Sequence, residues 1–235
     1  MLMPDGRCSH AAVVRATGSF RSRVRLEAEK RWAFKRAQDF TYSFEQRRYV
    51  IKHVIPHPGQ VLVYGPPKCG KTLKVEDWAH HIGAGCSYRG LLVVGGPVAY
   101  LSLEGKAAME DRIEARRHAH EKDPDVAWGD VRYTFDALNL IRDQEELIRR
   151  LVEEFPEGMK VAIIDTLNRS MGGDENSAED MRAYLGASER IMKEFNCTVI
   201  IIHHCGRMAS GLVAVQQSMV PWTCLCVSPN RRMTP

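Results

Sequence analysis

No stretch of this chain approaches the roughly 18 uninterrupted apolar residues that a membrane span requires. Its opening, MLMPDGRCSHAAVVRATGSFRSR, lacks both the apolar core and the cleavage pattern of a secretory signal. These two absences argue against a membrane partner and for a soluble, cytoplasmic protein. The seven cysteines, Cys8, Cys69, Cys86, Cys197, Cys205, Cys224 and Cys226, show neither zinc-type spacing nor a disulfide framework, so reduced thiols are the simplest reading. No internal repeat is visible. A large charge imbalance is missing too, the formal net charge being only +4.

What is there suits one sizeable domain with an appendage: 235 residues, 44% of them hydrophobic, enough to bury a real core. The charge is unevenly placed, with about a dozen Lys/Arg against about five acids in the first 60 residues. Within that excess, RSRVRLEAEKRWAFKRAQ (residues 21–38) reads either as an arm for phosphate backbones or as a solvated helix face docking through Leu26, Trp32 and Phe34. The expected division is a basic N-terminal segment at 1–45, a core at 46–207 and an aberrant tail at 208–235.

From about residue 46, strand and helix signals alternate. GQVLVY (59–64) reads as a strand, and TLKVEDWAHHI (72–82) as a helix with Val75, Trp78, Ala79 and Ile82 on one stripe, stopped by Gly83-Ala84-Gly85. A glycine-bounded pair of short strands leads to a buried strand at VAYLSL (98–103) and a polar helix over 106–121. DQEE (143–146) has capping-box spacing and opens a helix carrying Leu147, Leu151 and Phe155. VAII (161–164) is a strand; the loop MGGDENS (171–177) precedes a helix with Met181, Tyr184, Leu185, Ile191, Met192 and Phe195 along one face; TVIII (198–202) is the next strand. Strands so uniformly apolar, spaced by helices, predict an α/β fold with a mostly parallel central sheet covered on both faces.

Between the first strand and its helix lies GPPKCGKT, comprising Gly65, Pro66, Pro67, Lys68, Cys69, Gly70, Lys71 and Thr72. It has the G-x-x-x-x-G-K-[ST] spacing of a phosphate-binding loop. The strand–turn–helix context makes the pattern a mechanism. Backbone N–H groups at the helix start face the phosphates of ATP, Lys71 reaches the outer ones, and the Thr72 hydroxyl ligates magnesium. Asp165, at the tip of a strand expected to neighbour the loop strand, holds the same magnesium through water; the plainer alternative is a turn cap.

Thr166 follows Asp165, not glutamate, so a water-activating base must come from elsewhere. Glu104, closing the VAYLSL strand at the same sheet edge, fits that role; a helix-start glutamate favoured by the dipole is the alternative. IIHHC (201–205) ends a strand with two histidines whose side chains point to opposite faces. Only one of them can sense the γ-phosphate, and His204 is the choice; a satisfied structural histidine is the alternative, and a joint metal site of His203, His204 and Cys205 is poorly suited to successive residues. In MGGDENS, Asp174 and Glu175 oppose any contact of Arg169 or the loop with DNA, so helix capping by Asn176 or Ser177 is the better role.

GPPKCGKT, VAYLSLEG, VAIIDTLNRSMGGDENSAEDM and IIIHHCGR, in that order, resemble the RecA-like P-loop ATPases and, more narrowly, the RepA-type hexameric helicases of plasmids and phages. The likeness covers roughly residues 58–207. It implies a homo-oligomeric ring, a hexamer, with ATP between subunits and hydrolysis driving loops along single-stranded DNA. It also implies an arginine finger shortly after the histidine strand, in a segment running like S-R-G-S-S-A…G-A…D. A RecA-type recombination or regulatory ATPase, and a truncated nucleotide binder without enzymatic activity, are the alternatives.

Residues 208–235, MASGLVAVQQSMVPWTCLCVSPNRRMTP, depart from that pattern and carry neither helical nor strand period, so the last strands of the family are expected to be missing or replaced. Read from the third base of each codon, residues 211–223 permit Ala-Arg-Gly-Ser-Ser-Ala, two unspecified residues, then Gly-Ala-Val-Asp. Met219-Val220 forces the Gly and Trp222-Thr223 forces the Asp. A shift of frame between about Gly206 and Gly211, in the gene or in its sequencing, is therefore expected, a divergent or disordered tail being the plainer alternative; the shift leaves a chain that binds Mg·ATP but hydrolyses it weakly or not at all.

Overall fold

The computed structural model describes residues 36–39, 48–204 and, as backbone, 222–226. By its contacts the chain divides into Met1–Glu45 and Gln46–Pro235. Of the first unit only a 3-10 turn, Ala37–Asp39, is described. Leu26, Trp32 and Phe34 of the basic segment, Cys205, and the arginine-loop region at 205–221 lie outside the described residues.

The second unit is built on a six-stranded, wholly parallel sheet. Its strands are β3 (Gly59–Gly65), β4 (Val98–Ser102), β5 (Val131–Thr134), β6 (Val161–Asp165), β7 (Thr198–His204) and β8 (Trp222–Cys226), in the spatial order β5-β4-β6-β7-β3-β8. Two short strands before it, β1 (Tyr49–Ile51) and β2 (Ile55–Pro56), form an antiparallel pair of their own. The expected strand pair around residues 88–94 is reduced to isolated bridges, Tyr88 with Leu91 and Ile51 with Val93.

Period-2 alternation sorts the sheet into two cores. Val98, Tyr100, Val161, Ile163, Ile200 and Ile202 face one way, onto Val75, Trp78, Ala79 and Ile82 of α1 (Lys71–Ala84) and Met109 of α2 (Lys106–Lys122). Ala99, Leu101, Ala162, Ile164, Val199 and Ile201 face the other. There they meet Ile148 and Leu151 of α3 (Gln144–Glu154), Leu167 and Met171 of α4 (Leu167–Met171), and Tyr184, Ile191 and Met192 of α5 (Ala178–Phe195). Both faces being covered, the inner strands β4, β6 and β7 need apolar residues on both sides, which is why the sequence shows unbroken runs there. This is the α/β architecture of RecA-like P-loop proteins.

Helix α1 is docked at its far end by a backbone contact. A Cβ on Gly129 would stand 2.2 Å from the Ala84 nitrogen, and one on Gly83 would stand 2.7 Å from the Asp130 nitrogen. Beside that contact His80, 1% exposed, stacks on Trp128 at 5.0 Å and approaches the Tyr133 hydroxyl at 3.2 Å.

Three local expectations are corrected. Asp143 is the N-cap of α3, but its side chain makes no cap bond; the carboxylate accepts from the Asn139 N–H at 2.9 Å and from Arg142, while Glu146 pairs with Arg149 and Arg150. Surface arginines outcompete the capping box. The strand carrying Asp165 does not adjoin the loop strand, because β7 lies between β6 and β3. And residues 222–226, which show no strand period, form β8, in parallel register with β3 from Gln60↔Trp222 to Tyr64↔Cys226.

Candidate nucleotide site

Strand β3 ends at Gly65, and α1 begins six residues later behind Gly70, whose φ of 90° lies in the left-handed region. Nothing within 4 Å would meet a Cβ there, so conformation and not space calls for glycine at this turn. As N-cap, Gly70 has no side chain to cover the first-turn N–H groups. Lys71 is 2% exposed and folds back over the loop, its Nζ donating to the carbonyls of Gly65 at 2.8 Å and Pro66 at 2.9 Å, with the Cys69 sulfur at 3.7 Å. It makes no ion pair among the described residues. A buried ammonium held by carbonyl dipoles without a counter-ion is half of an anion site.

Asp165, 4% exposed, closes β6. It accepts hydrogen bonds from the Tyr100 hydroxyl, at 3.1 Å to Oδ2, and from the Thr72 side chain. Burial pushes its carboxyl above the usual carboxylate range and Glu104 adds to the rise; the two hydrogen bonds and His204 oppose it.

The remaining groups close a circuit. His204 is the register partner of Gly65, its Nε2 stands 3.9 Å from Glu104 Oε2, and Glu104 in turn accepts from the Thr166 hydroxyl at 3.5 Å. Thr166 adjoins Asp165, which is bonded to Thr72. Lys71, Thr72, Glu104, Asp165 and His204 thus meet at the carboxyl end of one sheet. The two histidines do part company. His203 turns to Asn168 Oδ1 at 3.2 Å and Glu175 Oε2 at 3.8 Å, and burial lowers its pKa; His204 turns to Glu104, with its Nδ1 buried and without a partner among the described residues. In the 171–177 loop, Ser177 caps α5 by accepting from the Asp180 N–H at 3.3 Å.

The donors around Asp165 are hydroxyl and carboxylate oxygens. That set fits a hard cation such as magnesium, which takes oxygen ligands and keeps several waters, and it does not suit a soft metal. Sequence reasoning passed over Tyr100, Ser102 and Thr166 at this site. For Tyr100 and Ser102 the available signal was a hydroxyl inside an otherwise apolar, fully buried strand; Thr166 follows its strand as the N-cap of α4.

The AAA domain family model matches residues 23–210. The chain belongs to the AAA domain family. No curated protein matches it significantly. Among solved structures, this AAA-domain chain is similar to a KaiC-like protein from the hyperthermophilic archaeon Pyrococcus horikoshii OT3, with 20% identity and a TM-score of 0.42 over 66% of this chain and 65% of that one. The matched region is therefore somewhat under two thirds of that relative's length. With its family, the chain is an AAA-type, nucleotide-binding ATPase domain.

Proposed function

We propose that the chain is the Mg·ATP-binding domain of a RepA-type helicase, a motor that acts on single-stranded DNA as a homo-oligomeric ring, by resemblance a hexamer. The observation that carries the nucleotide half is Lys71, a buried ammonium with no anion among the described residues, whose missing partner is the β- and γ-phosphate charge. Thr72 directly, and Asp165 through water, would hold magnesium, which would supply charge neutralisation at the phosphate oxygens. Glu104 is the general base: it orients a water against the γ-phosphate and takes its proton, and its approach to His204 together with the hydrogen bond from Thr166 supports that role. His204 senses the γ-phosphate. Its unpartnered Nδ1 supports this reading.

The DNA half rests on the likeness of VAIIDTLNRSMGGDENSAEDM and IIIHHCGR to the ring helicases. The arginine segment is absent from residues 208–235, so the chain as it stands binds nucleotide and turns it over weakly or not at all. We attribute that loss to a shift of reading frame between about Gly206 and Gly211; the AAA match, which stops at residue 210, supports the assignment. The nucleotide sequence tests it: the other frame must encode the arginine loop followed by further strands.

Melting with and without Mg·ATP tests binding, and absence of any stabilisation refutes the site. Turnover with and without single-stranded DNA tests the rest. Brisk, DNA-stimulated hydrolysis by this very chain would contradict the role given to the missing arginine.

A further inference from the structure

The tip of β4 carries a hydroxyl that none of the roles above employs. Ser102 is 2% exposed, and its Oγ is buried with no hydrogen-bond partner among the described residues. An unpaired buried hydroxyl costs stability, and such groups in native structures call for an explanation in a ligand, ion or water.

Its surroundings indicate which. Ser102 is the register partner of Asp165 across the parallel β4–β6 pair, and the Leu103 N–H fixes that level by donating to the Asp165 carbonyl at 2.7 Å. Register partners in a parallel sheet project to the same face, and Tyr100, two residues back on β4, does so too, bonding the Asp165 carboxylate. The Tyr100 hydroxyl is therefore engaged. The Ser102 hydroxyl is not, and it stands beside the carboxylate at the end of the strand nearer the phosphate loop.

We propose that Ser102 belongs to the divalent-cation site, where its hydroxyl holds a water of the metal's hydration shell alongside Asp165. Magnesium surrenders its waters reluctantly, so residues that bond those waters define its position as much as direct ligands do. The inference rests on the magnesium–nucleotide reading of the site. It adds a second anchor of the hydration shell, on β4, to Asp165 on β6 and to the direct ligand Thr72 on α1, so that the cation would be held from three elements.

The test is a magnesium titration of ADP binding to the full chain and to Ser102→Ala, followed by melting temperature and by a fluorescent ADP. The magnesium midpoint of the variant is expected to rise about five- to tenfold, the loss of one hydrogen bond to a polarised water. ADP binding in the presence of a chelator is expected to stay unchanged. Without metal and nucleotide the variant is expected to melt at the wild-type temperature or about 2–4 °C above it, since an unpaired buried hydroxyl has been removed. An unchanged magnesium midpoint overturns the proposal. So does an equal loss of ADP binding with and without metal, or a markedly lower melting temperature of the empty variant, either of which makes the hydroxyl structural. If the unmodified chain is not stabilised by ADP at any magnesium concentration, the nucleotide reading itself falls, and that result is seen before the variant is compared.

Discussion

Tyr100→Phe removes a single oxygen from the floor of the site and leaves the ring, 5.1 Å from Tyr133 and stacked at 27°, in place. The lost group donates to Asp165 Oδ2 from a side chain that is 0% exposed, so no water can replace it. A hydrogen bond to a charged group contributes about 1.5–3 kcal/mol, and because Thr72 still bonds the carboxylate the lower end applies, roughly 1.5 kcal/mol. For a chain of this size that corresponds to a fall of about 3–6 °C in melting temperature near neutral pH. The pH dependence follows from linkage. Burial raises the folded pKa of Asp165 above that of an unfolded carboxyl, so between the two the folded state holds the extra proton, and this group's contribution declines as pH rises through the folded pKa. Removing the Tyr100 donor raises the folded pKa further. The gap between variant and wild type is therefore smallest in acid, where Asp165 is protonated in both, opens as wild-type Asp165 ionises and is full once the variant's carboxyl has ionised too. Melting of metal-free protein over a series from acid to alkaline pH measures it; equal melting temperatures throughout, or a gap that widens toward acid, would refute a tyrosine that supports a buried carboxylate.

Two further outcomes follow from other groups. Glu104→Gln should leave Mg·ATP stabilisation within about a degree of wild type while lowering whatever basal turnover the chain has by about 10²–10⁴-fold, measured by phosphate release. His80, whose pKa burial lowers to about 3 from 6.5, binds its proton in the unfolded chain first, so its contribution is complete above the unfolded value and is lost as pH falls. By pH 5 that loss is about 2 kcal/mol, and His80→Gln should flatten the acid limb of the melting-temperature profile by a matching amount.

The elements that announce themselves locally were legible in the sequence. Val75, Trp78, Ala79 and Ile82 recur at helical spacing because one stripe of α1 meets the sheet, and the runs at 98–101, 161–164 and 199–202 are apolar because both faces are covered. The phosphate loop was equally plain, since its geometry demands particular residues at particular positions. Lateral order was not. Nothing in a strand's own composition says which strand lies beside it, and the insertion of β7 between β3 and β6 is set by long-range packing. Short elements also escaped. Helix α4 has five residues and β5 only four, too few to establish a period, and β5 sits at the sheet edge with a half-buried pattern. Tyr100 and Ser102 were hidden by their setting: a polar atom in an apolar strand counts as core until its partner, or its lack of one, is seen.

The glycine contact under the C-terminal end of α1 bears on events at the opposite end. The helix is 14 residues long, about 20 Å, and it is a stiff rod with Lys71 and Thr72 at its head and Gly83 near its foot. With backbone against backbone at residues 129–130, the foot has no side-chain cushion to yield, so the rod is seated at a fixed depth. Any bulk introduced at Gly129 would pivot it and carry the ammonium and hydroxyl away from Asp165 without touching the phosphate loop. The aim of the loop is thus adjusted from beneath the helix, at a place that no inspection of the nucleotide pocket alone would single out.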